Sequence, residues 1–477
     1  MGGGLLQLVA CGAQDAYLSG NPQITFWKGL FKRHTNFAME PFRINFSGQP
    51  NWGTKQSAII GRHADLLYST YLEVVLPYNG TNGEPYSWNN EMGRLGYNLI
   101  KYAELEIGGQ LIDRLYGEWM FLWECLTTDV SASLKAASMV GVFGKPNGST
   151  RLTDSIGCGA GGDNNSSRPA LPNVLYVPLS FFYTRNPGAA LPLIALQYHE
   201  VKINILWNDT KMIAGDFTKA NLTPSATQAA IYIDYIYLDT EERRRMAQES
   251  HEYLIEQTQF NEDVGLTSYN NRVDLTFNHP VKELVWVVQP SEYTNCKGPQ
   301  GLRLDYDFDV GEADHPRLQP FTYDVPAVYK QWIQINGQDR MDYRYGDYFN
   351  KVQPFQHHTG SFRSFQHHTG SFRSFHDYFL GLVNDADNDA DNDADNASGN
   401  GQQLGAYMYS FALKPEEHQP SGTCNFSRID TATIVMELSG AINLDQSQDR
   451  AYDIRVYAVN YNILRIMSGM AGLAYSN

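Results

Sequence analysis

The sequence lacks most of what a secreted, membrane-spanning or nucleic-acid-coating protein needs. Its five cysteines, Cys11, Cys125, Cys158, Cys296 and Cys424, are scattered, odd in number and without a CxxC pair. That usage excludes a disulfide framework and suits a reducing compartment, with all five expected as free thiols. No apolar run approaches the ~20 residues that cross a bilayer as a helix. The stretch Leu5–Ala10 is too short for a signal h-region and has no basic n-region ahead of it. Gly2 stands at the myristoyl position, but Leu6 occupies the place where that motif needs Ser or Thr. Basic residues are the minority, 36 Lys and Arg against 52 Asp and Glu, for a net charge of −16. Neutralising phosphates takes Lys and Arg, so no direct contact with nucleic acid is expected. No GxSxG, HExxH, P-loop or GxGxxG occurs, and neither a catalytic residue nor a cofactor is expected.

Aromatics, by contrast, are plentiful, with 30 Tyr and an aromatic content of 13%. They suit half-buried pleated surfaces. The dominant pattern is alternation of period two. Val201, Ile203, Ile205 and Trp207 share one face, as do Ala103, Leu105 and Ile107 ahead of a Gly108-Gly109 turn. Thr431–Leu438 alternates in the same way, whereas Val281–Val288 is nearly apolar on both faces, as in a sandwich core. Asn79-Gly80, Asn82-Gly83 and Asn336-Gly337 read as turns. Short strands with long Gly/Pro-rich connections indicate β-sandwiches or barrels. Helices are few. Leu115–Thr127, with Trp119 and Trp123, is the best candidate and is expected to cap a sandwich.

A chain of 477 residues is long enough for two domains, each with its own core. Strand signals stop at Leu238, a charged connector follows over 239–250, and strands resume at His251. The expected division is an N-terminal arm over 1–22, a first sandwich over 23–238, the connector, and a second sandwich with a C-terminal tail over 251–477.

Several motifs invite a chemical reading. Phe355–Ser364, which contains His357-His358, is repeated residue for residue at Phe365–Ser374, giving His367-His368. Adjacent histidines on an extended chain point to opposite sides, so neither pair makes a good metal chelator, and no metal is expected. The Asp/Asn/Ala run Asn384–Asn396 lacks the central Gly and terminal Glu of a calcium loop. It has too little apolar surface to offset ordering entropy. That run is therefore expected to be a flexible loop. Sequons make Asn79, Asn147, Asn164, Asn208, Asn221 and Asn396 possible glycosylation sites. Asn45, Asn165 and Asn425 also head sequons, and Asn425 is expected to serve the fold instead. His34 and His199 have no nucleophile or ligand spacing beside them and are expected to be structural.

Blocks at the two ends of the chain narrow the reading. They are Gly3–Ala10 with Gly12–Phe26, Arg33–Glu40, Leu191–Val201, Asn336–Arg340, Ser410–Pro415 with Gln419–Asp430, and Tyr461–Tyr475. Together they resemble the major capsid proteins of nucleocytoplasmic large DNA viruses. The resemblance implies an all-β chain of two consecutive eight-stranded jelly-roll sandwiches, with a few short helices in the connections. It implies a structural protein of the virion shell, assembled in the host cytoplasm. It also implies that all of Phe355–Gln403 is an outward, locally mobile loop. Three copies would form a pseudo-hexagonal capsomer that meets neighbouring capsomers, with the N-terminal arm facing minor capsid proteins and an inner membrane. An acidic wall held away from the genome fits that arrangement. The alternative is a secreted carbohydrate-binding or carbohydrate-active β-sandwich, which explains the strands but not the end blocks.

Overall fold

The computed structural model describes residues 3–27, 29, 31–76, 95–129, 132, 135–136, 139–140, 173–209, 228–291, 328–360, 406–439 and 451–475. In the first half the strands are β1 (Phe37–Asn45), β2 (Lys55–Ile60), β3 (Leu66–Leu76), β4 (Ile100–Ile107), β5 (Gln110–Tyr116), β6 (Asn173–Pro178), the short β7 (Leu191–Pro192), β8 (Val201–Trp207) and β9 (Gln228–Leu238). They form two antiparallel sheets ordered β1-β9-β3-β6 and β2-β8-β4-β5. The second half holds β10 (His251–Leu266), β11 (Asn270–Asp274), β12 (Pro280–Pro290), β13 (Val328–Ile335), β14 (Gln338–Asp339), β15 (Arg344–Tyr345), β16 (Ala406–Ser410), β17 (Cys424–Asn425), β18 (Ala432–Leu438), β19 (Tyr452–Met467) and β20 (Met470–Leu473). Its sheets run β10-β19-β12-β16 and β11-β18-β13-β14. Without the short accessory strands, both halves pair their first, last, third and sixth strands in one sheet. The second, seventh, fourth and fifth pair in the other. That double Greek-key order is the jelly roll.

The alternating stretches fall where the pattern places them. Val201, Ile203, Ile205 and Trp207 of β8 are buried, and so are Ala432, Ile434, Met436 and Leu438 of β18. The turns follow from backbone freedom. Gly108 and Gly109 both have positive φ between β4 and β5, and Asn336 and Gly337 do so between β13 and β14, as a tight I′-type hairpin requires. The turns expected at Asn79-Gly80 and Asn82-Gly83 lie outside the described residues.

The helices are α1 (Gly3–Val9), α2 (Asp15–Ser19), α3 (Leu95–Asn98), α4 (Gly117–Thr127), α5 (Phe182–Arg185), α6 (Thr240–Gln248) and α7 (Gln353–His357), with a π turn at Tyr348–Val352 just before α7. The connector is itself helical: Asp239 caps the N-terminus of α6 by accepting from Thr240 N, and Glu241 and Glu242 occupy its first turn, where negative charge meets the positive end of the helix. Arg243 clasps α6 to the first roll through Asp65, with Nη2 at 2.9 Å. At the other end, the first strand begins at Phe37 rather than near residue 23. The described residues between 23 and 36 are exposed and form no strand. They continue the arm, in which α1 and α2 bury nothing and Leu5, Leu8, Leu18, Phe26 and Trp27 are exposed.

The two rolls share a core. One apolar cluster joins first-roll residues such as Leu105, Trp119 and Ile203 to Ile255, Val285, Val287, Tyr457 and Val459 of the second roll. A separate cluster, with Leu284, Trp286, Ile434 and Ile454, lies inside the second roll. Sheet β10-β19-β12-β16 is therefore covered on both faces, which is why Val281–Val288 reads as nearly apolar, Lys282 and Glu283 apart.

Candidate functional site, the seam between the two rolls

The polar centre of the seam depends on one register shift. Along β12 and β19, Val281 pairs with Asn460 and Glu283 with Val459, so Lys282 is the extra residue of a β-bulge. In an unbroken strand Lys282 and Glu283 would point to opposite faces. Val281 and Leu284 both belong to the second roll's own core, three positions apart, which shows the phase change. The bulge lets Lys282 join Glu283 on the side facing the first roll.

Lys282 is fully buried. Its Nζ lies 2.7 Å from Glu256 Oε1 and donates to the Pro415 carbonyl at 2.6 Å. Arg185 from α5 reaches across the seam, donating to Glu256 Oε2 at 2.6 Å. Its guanidinium sits 4.1 Å from the ring centroid of Trp123 in α4, and Lys282 Nζ sits 5.6 Å from the same ring. Burial pushes the Glu256 carboxyl up, but Lys282 and Arg185 outweigh it and hold it below the usual range. Such a triad contributes little against an apolar replacement, yet removing one member strands a buried charge.

Further along, Glu118 of α4 accepts from Arg455 Nε at 2.6 Å and Nη2 at 2.5 Å, and it also accepts from Tyr457 Oη. Trp119 packs on Tyr457 with ring centroids 5.4 Å apart. Helix α4 is thus a wedge between the rolls rather than a cap on one of them. Asp113 of β5 accepts from Thr258 N of β10 at 3.1 Å. Burial pushes its carboxyl up to about 6, against the opposing pull of its hydrogen bonds and Arg185. At the rim, Tyr198 N donates to Gly469 O at 3.0 Å and Ala471 N to His199 Nδ1 at 3.1 Å. Two blocks far apart in sequence, Leu191–Val201 and Tyr461–Tyr475, meet there. His199 is structural, as expected.

The segment after the π turn closes the seam. His358 presents Nε2 to Glu283 Oε2 at 2.8 Å and Nδ1 to Glu416 Oε1 at 3.0 Å, with its side chain fully buried. Its ring meets Trp123 edge to face. Gly360 N donates to Leu126 O of α4 at 2.7 Å. A Cβ at Gly360 would lie 2.1 Å from the Cys125 carbonyl oxygen, so only glycine fits this approach. The expectation of an outward loop from Phe355 onward therefore fails at its start. Phe355 is exposed, but His358 and Gly360 are built into the seam, because Glu283 and Glu416 offer His358 charge partners that no local sequence pattern shows. The rest of that stretch, including His367, His368 and the run Asn384–Asn396, lies outside the described residues.

Among the glycosylation candidates, Asn208 is corrected. It is buried, and its Nδ2 donates to the Asn98 carbonyl at 2.6 Å, so its amide is committed to the fold. Asn79, Asn147, Asn164, Asn221 and Asn396 lie outside the described residues. Asn425 accepts from Ser427 N and opens a 3-10 turn, a fold role as expected. His34 is exposed, with Nδ1 against the Thr35 carbonyl. Among the described residues, Cys11 and Cys424 are free thiols, and no group of His, Cys, Asp and Glu could hold a metal ion.

Comparison with known proteins agrees with this architecture. A family model described as major capsid protein N-terminus matches residues 25–239. One described as large eukaryotic DNA virus major capsid protein matches 242–372 and 398–472, leaving the Asp/Asn/Ala run outside the match. The major capsid protein of Pyramimonas orientalis virus is 42% identical over 477 aligned residues, covering 100% of both chains. That of Paramecium bursaria Chlorella virus 1 is 36% identical over 516, again covering 100% of both. The crystal structure of the PBCV-1 capsid protein VP54 superposes with a TM-score of 0.70 at 31% identity, over 95% of this chain and 100% of that one. These relatives are structural proteins and not enzymes, and none supports the carbohydrate-active alternative. Two jelly rolls fused along a shared core, matched along nearly their whole length, place the chain in the major capsid protein family of large eukaryotic DNA viruses.

Proposed function

We propose that three copies of this chain close into a capsomer that tiles a viral shell, with the seam inside each chain repeated between chains. The carrying observation is an unused surface. In the second roll, the outer face of β10-β19-β12-β16 is covered by β5 and α4 of the first. On the matching face of β1-β9-β3-β6 in the first roll, the described tyrosines stay partly exposed. There Tyr232 sits beside Arg43 and Tyr71, and Glu73 sits beside Tyr176. Tyr71 and Tyr232 are half-buried and Tyr176 is 42% exposed. At one end of this face Met246 of α6 packs with Ile236 and Leu66.

The counterpart of the β5–α4 side in the second roll is β14, β15 and the helical stretch behind them. It presents Tyr329, Tyr343, Tyr345 and Phe355 to solvent, with Lys330 Nζ 4.9 and 4.8 Å from the Tyr329 and Tyr343 rings. A tyrosine face carrying Glu73 and Asp234 suits a tyrosine edge carrying Lys330 and Arg344. Two rolls in each of three chains make six rolls in a ring, hence a pseudo-hexagonal outline with three-fold symmetry. A head-to-tail contact of this kind forms a closed ring when its rotation closes. The exposed apolar arm is directed to minor capsid proteins and an inner membrane, neighbouring capsomers meet at the rim, and assembly takes place in the reducing host cytoplasm. Native mass measurement on the purified protein tests the reading. It predicts three chain masses for the wild type and one for Tyr232→Lys; a wild-type monomer at all salt concentrations overturns it.

A further inference from the structure

We infer that His358 is a proton-dependent bolt: with two N–H groups it pins residues 353–360 of the second roll against α4 of the first, and with one it lets them go. The geometry requires two donors. Both ring nitrogens face carboxylate oxygens, Glu283 Oε2 at 2.8 Å and Glu416 Oε1 at 3.0 Å. Carboxylates only accept, and a neutral imidazole has one N–H to give. Deprotonation would turn a ring lone pair toward one of them.

The surroundings offer little substitute. Glu283 is fully buried, and its Oε1 has no hydrogen-bond partner among the described residues. The adjacent cation, Lys282, is committed to Glu256 and the Pro415 carbonyl. Arg185 is committed to Glu256 and stacked on Trp123. On the remaining sides His358 meets Trp123 of α4, while Tyr461 of β19 lies beyond Lys282. Within its own segment, His357 Nδ1 lies 3.1 Å from the Leu413 carbonyl, and Thr359 donates twice to Glu416. Without the imidazolium, Glu283 is a buried carboxylate beside an ion pair already formed, a costly arrangement.

The protonation balance agrees. Burial drives the imidazole down, but the charge of Glu283 and the hydrogen bonds to Glu283 and Glu416 outweigh it and hold it up at about 9. A basic group with a raised folded pKa adds stability in full below its unfolded value, near 6.5, and loses it as pH rises through the folded value. The bolt is thus closed at neutral pH and opens on the alkaline side. Gly360, hydrogen-bonded to Leu126 O, is the amide that reports it. This inference does not depend on the trimer.

Hydrogen exchange of the full-length protein, corrected for the intrinsic pH dependence, is followed at 353–360 and 117–127 from pH 7 to pH 10. Melting temperature is recorded alongside. The wild type should lose at least about tenfold of Gly360 protection, with a midpoint near pH 9, and its melting temperature should fall over the same range. Glu283→Gln keeps the shape and an acceptor but removes the charge, so the midpoint should move down by about one unit or more. In His358→Gln the step should vanish. A wild-type profile that stays flat to pH 10, a Glu283→Gln midpoint that does not move, or an unchanged step in His358→Gln would each overturn the proposal.

Discussion

Sheet β10-β19-β12-β16 of the second roll is buried on both faces, whereas its counterpart β1-β9-β3-β6 in the first roll buries one face and carries partly exposed tyrosines on the other among the described residues. The strand order is the same. The difference lies in the outward side chains. On β19 these are Asp453, Arg455, Tyr457 and Val459, all buried, with Arg455 and Tyr457 held by Glu118 of α4. On β9 the corresponding outward positions are Ala230, Tyr232, Asp234 and Ile236, of which the central two, Tyr232 and Asp234, are only half-buried. A face that must live next to water as a single chain and next to protein in an assembly favours tyrosine, which combines an apolar body with a polar tip. A face that is never free of its partner can carry Val and a buried ion network. The contrast separates a permanent interface from one made on assembly.

The largest effect is expected from putting one charge on each face. Val459→Lys places an unpaired ammonium in the seam and should leave no soluble folded chain, since an unpaired buried ion costs several kcal/mol. Lys282→Ala leaves Glu256 with Arg185 alone and should cost about 3–5 kcal/mol, read as a lower denaturant midpoint. Gly360→Ala should cost about 1–3 kcal/mol by forcing 353–360 away from α4, with exchange increasing there and not in β18. Tyr232→Lys should change single-chain stability by no more than about 0.5 kcal/mol while abolishing the trimer. A Tyr232→Lys chain that fails to fold would erase the distinction between the two faces.

The smallest effect is a change of slope. Asp113, with a folded pKa raised to about 6, binds a proton more readily in the folded chain. Its contribution to stability is full below about 3.8 and is lost as pH rises through about 6. Glu256, Glu416 and Glu104 have lowered values, so stability they supply above about 4.5 is lost as pH falls through their folded values. The two trends oppose each other on the acid side. Asp113→Asn removes the first and should steepen the acid limb of a stability profile; an unchanged limb would show that Asp113 titrates alike in both states.

Much of this was readable in the sequence because it repeats along the chain. The alternation of Val201–Trp207 and Thr431–Leu438 gave strands, and the break between Leu238 and His251 gave two rolls. The near-uniform apolarity of Val281–Val288 already signalled a sheet covered twice, though not by what. Helix α6 was missed although Asp239 and the two glutamates behind it are ordinary N-terminal signals; its lack of apolar residues hid it. The bulge at Lys282 was not readable, since nothing in a Val-Lys-Glu-Leu string shows where the partner strand slips. His358 was masked by the exact duplication of its segment, in which the first copy has carboxylate partners brought by β12 and by the loop after β16. Those partners come from 75 residues before it and 58 after it, beyond any local pattern.

The most direct test of the account is hydroxyl-radical footprinting of the assembled protein, read at Tyr71, Tyr176 and Tyr232 and compared with Tyr457. Tyr457 should be unreactive in every state that retains the fold. The three first-roll tyrosines should be protected in the assembled capsomer and become reactive when it is dissociated into folded chains. Equal reactivity of those three before and after dissociation would mean that the bare face of the first roll is bare in the shell as well, and the repeated seam would be wrong.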